Sequence, residues 1–240
     1  MPIILPYNDI VNWSVDEGTI GVVGVAPWAT IDFLRSLYSQ IEVTKDWQYP
    51  RIICDINTKI PSRGRYLELN ERDPSSFIQE TIMELYKQGA SVAVVPCNTA
   101  HILYDKWSKA SPIPIPSIID SAVEAVYRKG IKKVLTLTSQ NLYKYNLYEI
   151  KLQEYGINCI KLTNEQILLI SKIIEEIKIF SNISIDTQNN LNNLLKNIES
   201  NIGIILGCTE LTSLVPLFQK YVAVVIDSNT ELSKKALSLI

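Results

Sequence analysis

The sequence is short of the residues that staple or metallate a chain. Four cysteines, Cys54, Cys97, Cys159 and Cys208, are scattered through 240 residues with no C-x-x-C pair, and one histidine, His101, is present to complete a metal site. No disulfide and no metal are expected. Positive charge is not in excess: 23 Lys and Arg stand against 25 Asp and Glu, with no basic tail or stripe, which argues against a nucleic-acid partner. No apolar run approaches the roughly 18–20 residues that cross a bilayer. The amino terminus lacks the basic, apolar and small-residue succession of a secretory signal. The expectation is no membrane association and a cytoplasmic setting, where thiols stay reduced and free for chemistry.

What the sequence does have is a hydrophobic content of 47%, enough for one large core or two small ones. Short β-branched runs, Ile20–Val25, Arg51–Cys54, Val92–Val95, Val134–Leu137, Cys159–Leu162, Ile202–Leu206 and Val222–Ile226, alternate with helical spacing. That pattern predicts an α/β fold with mainly parallel strands. Asp73-Pro74 opens one helix and Ser228-Asn229 the last. Ser111-Pro-Ile-Pro-Ile-Pro-Ser117 cannot be helical, because each proline lacks a backbone donor and extends its predecessor; it reads as a connection or an edge strand. The segment Ser181–Asn193 reads as a loop running into a helix.

A weak internal repeat organises the rest. Val92-Ala-Val-Val-Pro-Cys97-Asn-Thr99 resembles Ile202-Gly-Ile-Ile-Leu-Gly-Cys208-Thr209: an apolar strand, a cysteine, a threonine, then a helix. Two similar lobes are expected, residues 1–116 with 222–240 carrying Cys97 and residues 117–221 carrying Cys208, with the active site in the cleft between them. Ligands of open parallel sheets collect beyond the carboxyl ends of the strands, where helix amino termini present N–H groups that favour a thiolate. A thiol and a thiolate facing one substrate exchange acid and base roles and so invert a stereocentre next to a carboxylate. Cys54 and Cys159 sit within apolar runs and read as inert core residues.

At Cys97-Asn98-Thr99-Ala100-His101 and Gly207-Cys208-Thr209-Glu210-Leu211 the sequence resembles the aspartate/glutamate racemase superfamily, most of all its pyridoxal-independent aspartate racemase branch. Pro27 with Ala29-Thr30 and Asp32-Phe33, Ile60-Pro61-Ser62-Arg63, Glu165-Gln166, Ile177-Lys178 and Val225-Ile226-Asp227-Ser228 extend the likeness over nearly the whole chain. The resemblance implies that Cys97 and Cys208 are the acid/base pair interconverting L- and D-aspartate without cofactor. It implies that Asn98, Thr99 and Thr209 hold the α-carboxylate, that Arg63 and Lys178 are the cations around the substrate, and that the enzyme is a homodimer. His101 either tunes or orients its neighbours or is a satisfied structural histidine. Glu210 either takes part in catalysis or complements the positive end of a helix.

One departure stands out. The family's Gly-Gly-Met-Gly-Pro opening is here Val23-Gly24-Val25-Ala26-Pro27 followed by Trp28, so a pocket reshaped at this loop is expected. Two other readings stay open: a different superfamily reaction on glutamate or another carboxylate, and a catalytically idle amino-acid-binding protein.

Overall fold

The computed structural model describes residues 18–199 and 201–240. It divides into two units, each a parallel sheet with helices on its faces. The first comprises the described residues up to Ser117 together with Leu232–Ile240; the second is Ile118–Glu231.

In the first unit, β1 (Ile20–Gly24) is flanked by β2 (Ile52–Ile56) and β3 (Val92–Val94), in the order β2-β1-β3. The central strand is buried throughout and reads as an unbroken apolar run, as a strand covered on both faces must. Helix Pro27–Tyr38 starts with proline at its first turn, where the missing N–H costs nothing, and buries Ala29, Phe33 and Leu37 at helical spacing. Helix Ser75–Lys87 opens after Asp73, whose Oδ1 accepts the Ser75 N–H at 2.9 Å, and buries Ile78, Ile82 and Leu85. Each fully buried Ile or Leu contributes about 1.5–3 kcal/mol of transfer free energy. The proline-rich segment forms no strand, yet the Pro114 carbonyl accepts the Ala93 N–H at 3.0 Å and so covers the open edge of β3.

In the second unit, β4 (Lys133–Thr138), β5 (Asn158–Ile160), β6 (Gly203–Gly207) and β7 (Val225–Asp227) stand in the order β5-β4-β6-β7, again all parallel. Helix Asn164–Phe180 begins in a capping box between Thr163 and Gln166 and turns Ile170, Ile173 and Ile174 onto the core.

Two expectations need correction. Residues 222–231 lie with the second unit, because β7 hydrogen-bonds to β6; the chain returns to the first unit at Leu232. Cys54 is exposed, because β2 is an edge strand covered on one face only. The Asn-rich stretch is a loop running into a helix, as its spacing suggests; the helix starts at Ile185, where the Ser184 side chain caps it and Glu176 of the preceding helix accepts from Ser184 N and Thr187 Oγ1, both at 2.8 Å. Among the described residues, no helix is long and apolar enough to cross a membrane.

Candidate active site

The two sheets repeat one topology. In each, the first strand in sequence is central, the second pairs on one side and the third on the other, so the strand order reverses between the first strand and the third. That reversal opens a crevice at the carboxyl ends of the strands. Cys97 follows β3 after Val95 and Pro96, and Cys208 follows β6 directly, so each cysteine stands at the reversal of its own sheet. All four cysteines are free thiols; Cys97 is half-buried and Cys208 buried.

Neither cysteine opens an α-helix. Cys97-Asn98 leads into a 3₁₀ helix, Thr99–Leu103, and Cys208 is the residue before another, Thr209–Leu214. A macrodipole needs a long stack of aligned peptides, so local donors and side chains, rather than a helix dipole, set the surroundings of the thiols.

In the first unit the Cys97 carbonyl accepts from Ala100 N at 3.2 Å and from His101 Nδ1 at 2.9 Å. A carbonyl only accepts, so His101 carries its proton on Nδ1. Its buried ring stacks on Tyr104 and meets Trp107 edge-on, with centroids 5.3 and 5.2 Å away. His101 therefore anchors the backbone of Cys97. Asn98 beside it is buried, and Thr99 is half-buried. Helix Arg63–Leu69, which begins at Arg63, packs against the turn Thr99–Leu103 that follows Cys97. The guanidinium donates to the Pro61 carbonyl through Nη1 at 3.3 Å, while its buried Nε has no hydrogen-bond partner. A buried guanidinium donor left unmatched is costly in the free protein.

In the second unit the Cys208 thiol donates to Glu210 Oε2 at 2.9 Å, and Thr209 Oγ1 donates to the same oxygen at 3.2 Å. The other oxygen, Oε1, lies 3.6 Å from Lys178 Nζ, carried in on helix Asn164–Phe180. Glu210 thus does more than complement a helix end, Lys178 is paired with it, and the Thr209 hydroxyl is directed to the same carboxylate. Sequence reasoning did not find what holds this turn in place. Thr212 Oγ1 donates to the buried Asp227 at 2.9 Å, and Thr230 closes the other carboxylate oxygen through its N–H and hydroxyl at 3.1 and 2.7 Å. Burial raises the Asp227 pKa above the ordinary range despite those bonds. The only hint in the sequence was Asp227-Ser228 at a strand end.

The altered segment at the end of β1 needs no glycine at Val23 or Ala26: Val23 is a buried core residue of the strand itself, and Ala26 is extended, with φ −149°. Gly24 is different. A Cβ there would lie 2.8 Å from Thr30 Oγ1 and 3.0 Å from the Asp55 carbonyl, so the one retained glycine is where helix and strand approach most closely. Trp28 follows, 66% exposed.

Residues 20–236 match the family of Asp/Glu/hydantoin racemases. The chain belongs to that family. Among curated relatives of this racemase family, the broad-specificity amino-acid racemase RacX of Bacillus subtilis (strain 168) is 24% identical over 91% of this chain and 96% of its own. Among solved structures, the aspartate racemase of Picrophilus torridus superposes with a TM-score of 0.82 at 24% identity, covering 92% of this chain and 93% of that one. An aspartate racemase homologue from Pyrococcus horikoshii OT3 gives 0.74 at 26% identity, covering 92% and 98%. The racemase fold is thereby shared over both units.

Proposed function

We propose that the chain is a pyridoxal-independent, metal-independent amino-acid racemase in which Cys97 and Cys208 handle the α-proton from opposite faces of the substrate. The observation that carries this reading is the repetition of one sheet topology with a free cysteine at the strand reversal of each copy. A binding protein needs donors and cations at such places and has no use for the thiols.

In this reading Cys97, as thiolate, removes the α-proton of one enantiomer, and Cys208 returns a proton to the other face. Cys208 is the thiol in this reading, hydrogen-bonded to Glu210 Oε2. Glu210 is its partner, taking the proton back when the reaction runs the other way, and Lys178 balances the charge of Glu210. With no cofactor to delocalise the carbanion, preorganised donors must meet the charge that develops on the α-carboxylate. Asn98, Thr99 and the backbone at Thr209 take that role.

The unmatched Nε of Arg63 supports an acidic side chain on the substrate, aspartate first. The pairing of Lys178 with Glu210 favours a second reading, a broader substrate range, since this cation is not reserved for a side-chain carboxylate. Incubating the reduced protein in D2O without pyridoxal phosphate, with L-aspartate, L-glutamate and neutral and basic L-amino acids in parallel, separates the two. D-isomer carrying α-deuterium from aspartate alone supports the first reading, and from several substrates the second. No D-isomer and no deuterium from any of them contradicts the racemase reading.

A further inference from the structure

A cavity of about 130 Å³ lies in the second unit beyond the carboxyl ends of β4 and β5. Its wall toward the catalytic turn consists of Thr138 and Tyr148. Both bear on Gly207, the residue before Cys208: a Cβ on that glycine would lie 2.6 Å from each. The lining includes neither Gly207 nor Cys208, Thr209 or Glu210, so Thr138 and Tyr148 stand between the cavity and the Cys208 half-site.

The polar groups inside are already used. The Tyr143 hydroxyl donates to the Thr136 carbonyl and accepts from Thr138 N, Tyr148 bonds to Ser228, and the Thr138 hydroxyl donates to the Ser139 carbonyl. What remains to meet an occupant is apolar: Leu142, Ile160, Leu162, Ile167 and the half-buried Cys159, whose thiol burial pushes up and leaves protonated. A cavity of roughly 150 Å³ with an apolar lining holds a benzene ring, so a branched aliphatic or aromatic side chain fits this one.

The rim is of the opposite character. Lys161 and Glu149 face each other at 3.2 Å, with side chains 78% and 35% exposed, and Asn146 stands beside them. Asn146 adopts a left-handed backbone conformation, φ 52°, at the joint between helices Gln140–Tyr145 and Leu147–Glu154. One cation, one anion and one amide around an apolar hole match the carboxylate, ammonium and side chain of a neutral α-amino acid.

We propose that this cavity is a second amino-acid site, distinct from Cys97 and Cys208, that takes a neutral amino acid with a leucine- or phenylalanine-like side chain. Lys161 and Asn146 hold its carboxylate, Glu149 its ammonium, and the apolar wall its side chain.

Isothermal titration calorimetry of the full chain with L-leucine and with L-phenylalanine tests it. Saturable binding is expected. Lys161→Ala, at a side chain exposed enough to leave folding intact, weakens it at least tenfold; Cys159→Phe, which fills the hole, removes it; saturating the Cys97/Cys208 site with L-aspartate leaves it unchanged. No binding of either probe to the wild type overturns the proposal, as does binding that ignores Lys161→Ala. Loss of binding in the presence of L-aspartate instead assigns the probe to the Cys97/Cys208 site and overturns it equally. The readout is binding, so a chain that racemises nothing still answers the question.

Discussion

The thiol of Cys208 donates to Glu210 Oε2 at 2.9 Å, and the second oxygen of that carboxylate lies 3.6 Å from the ammonium of Lys178. Two residues of one turn and a third from a helix packed on it form a line of proton donor, acceptor and counter-charge. Glu210→Gln keeps the shape and an acceptor but loses the charge. A fall in kcat of about 10²-fold, within the usual range for a proton-transfer partner, is expected with KM changed little, together with a different pH profile. Steady-state kinetics across pH checks this; an unchanged kcat and profile makes Glu210 a structural residue only.

Arg63 carries a different expectation. Replacing it by Ala removes a guanidinium whose buried Nε has no hydrogen-bond partner in the free protein. KM for aspartate should rise about tenfold or more, corresponding to about 1.4 kcal/mol, while KM for a neutral amino acid stays within about twofold. Equal effects on both would place Arg63 away from the side-chain carboxylate.

How far the sequence carried varies with the scale of the feature. The seven strands among the described residues were legible because runs such as Ile20–Gly24 and Gly203–Gly207 are buried on both faces and so are continuously apolar. Their ends were not: β2 extends to Ile56 through Asp55, a polar residue an edge strand tolerates. The boundary at Leu232 was missed because β7 joins its sheet by hydrogen bonds to β6, and no local pattern announces a pairing partner. The strand-end position of both cysteines was legible through the repeat. The pairing of Glu210 with Lys178 was not, since 32 residues separate them and only the packing of helix Asn164–Phe180 on the turn Thr209–Leu214 brings them together.

Gly207 tests how tightly the end of β6 is packed. A methyl group there meets Thr138 Cγ2 and the Tyr148 ring at 2.6 Å, and Tyr148 is fully buried. Gly207→Ala should cost about 1–3 kcal/mol, the range for an overpacked core, read as a lower midpoint in denaturant at unchanged slope. A neutral result would mean that the tyrosine yields freely.

Asp73 gives the pH dependence a sign. Burial raises its pKa, but hydrogen bonds from Ser75 and Lys106 outweigh that and bring it to about 2, below the ordinary value of 3.8. A depressed carboxylate pKa stabilises the fold above the unfolded value and loses that contribution as pH falls through the folded one. Asp73→Ala should therefore lower stability by about 1 kcal/mol at neutral pH, as lost helix caps do, and the gap to wild type should narrow between about pH 4 and pH 2. Thermal melts of both proteins over that range check it; a gap constant with pH would remove the charge from the account.

The most direct test of two-base racemisation is α-proton exchange in D2O by the Cys97→Ser and Cys208→Ser proteins, each given the L- and the D-enantiomer of the substrate separately. Racemisation should fall by about 10²-fold or more in both. Deuterium should still enter one enantiomer with the first protein and the opposite enantiomer with the second, because each retains a thiol on one face. If both variants racemise at the wild-type rate, or both exchange the same enantiomer, Cys97 and Cys208 are not the two bases.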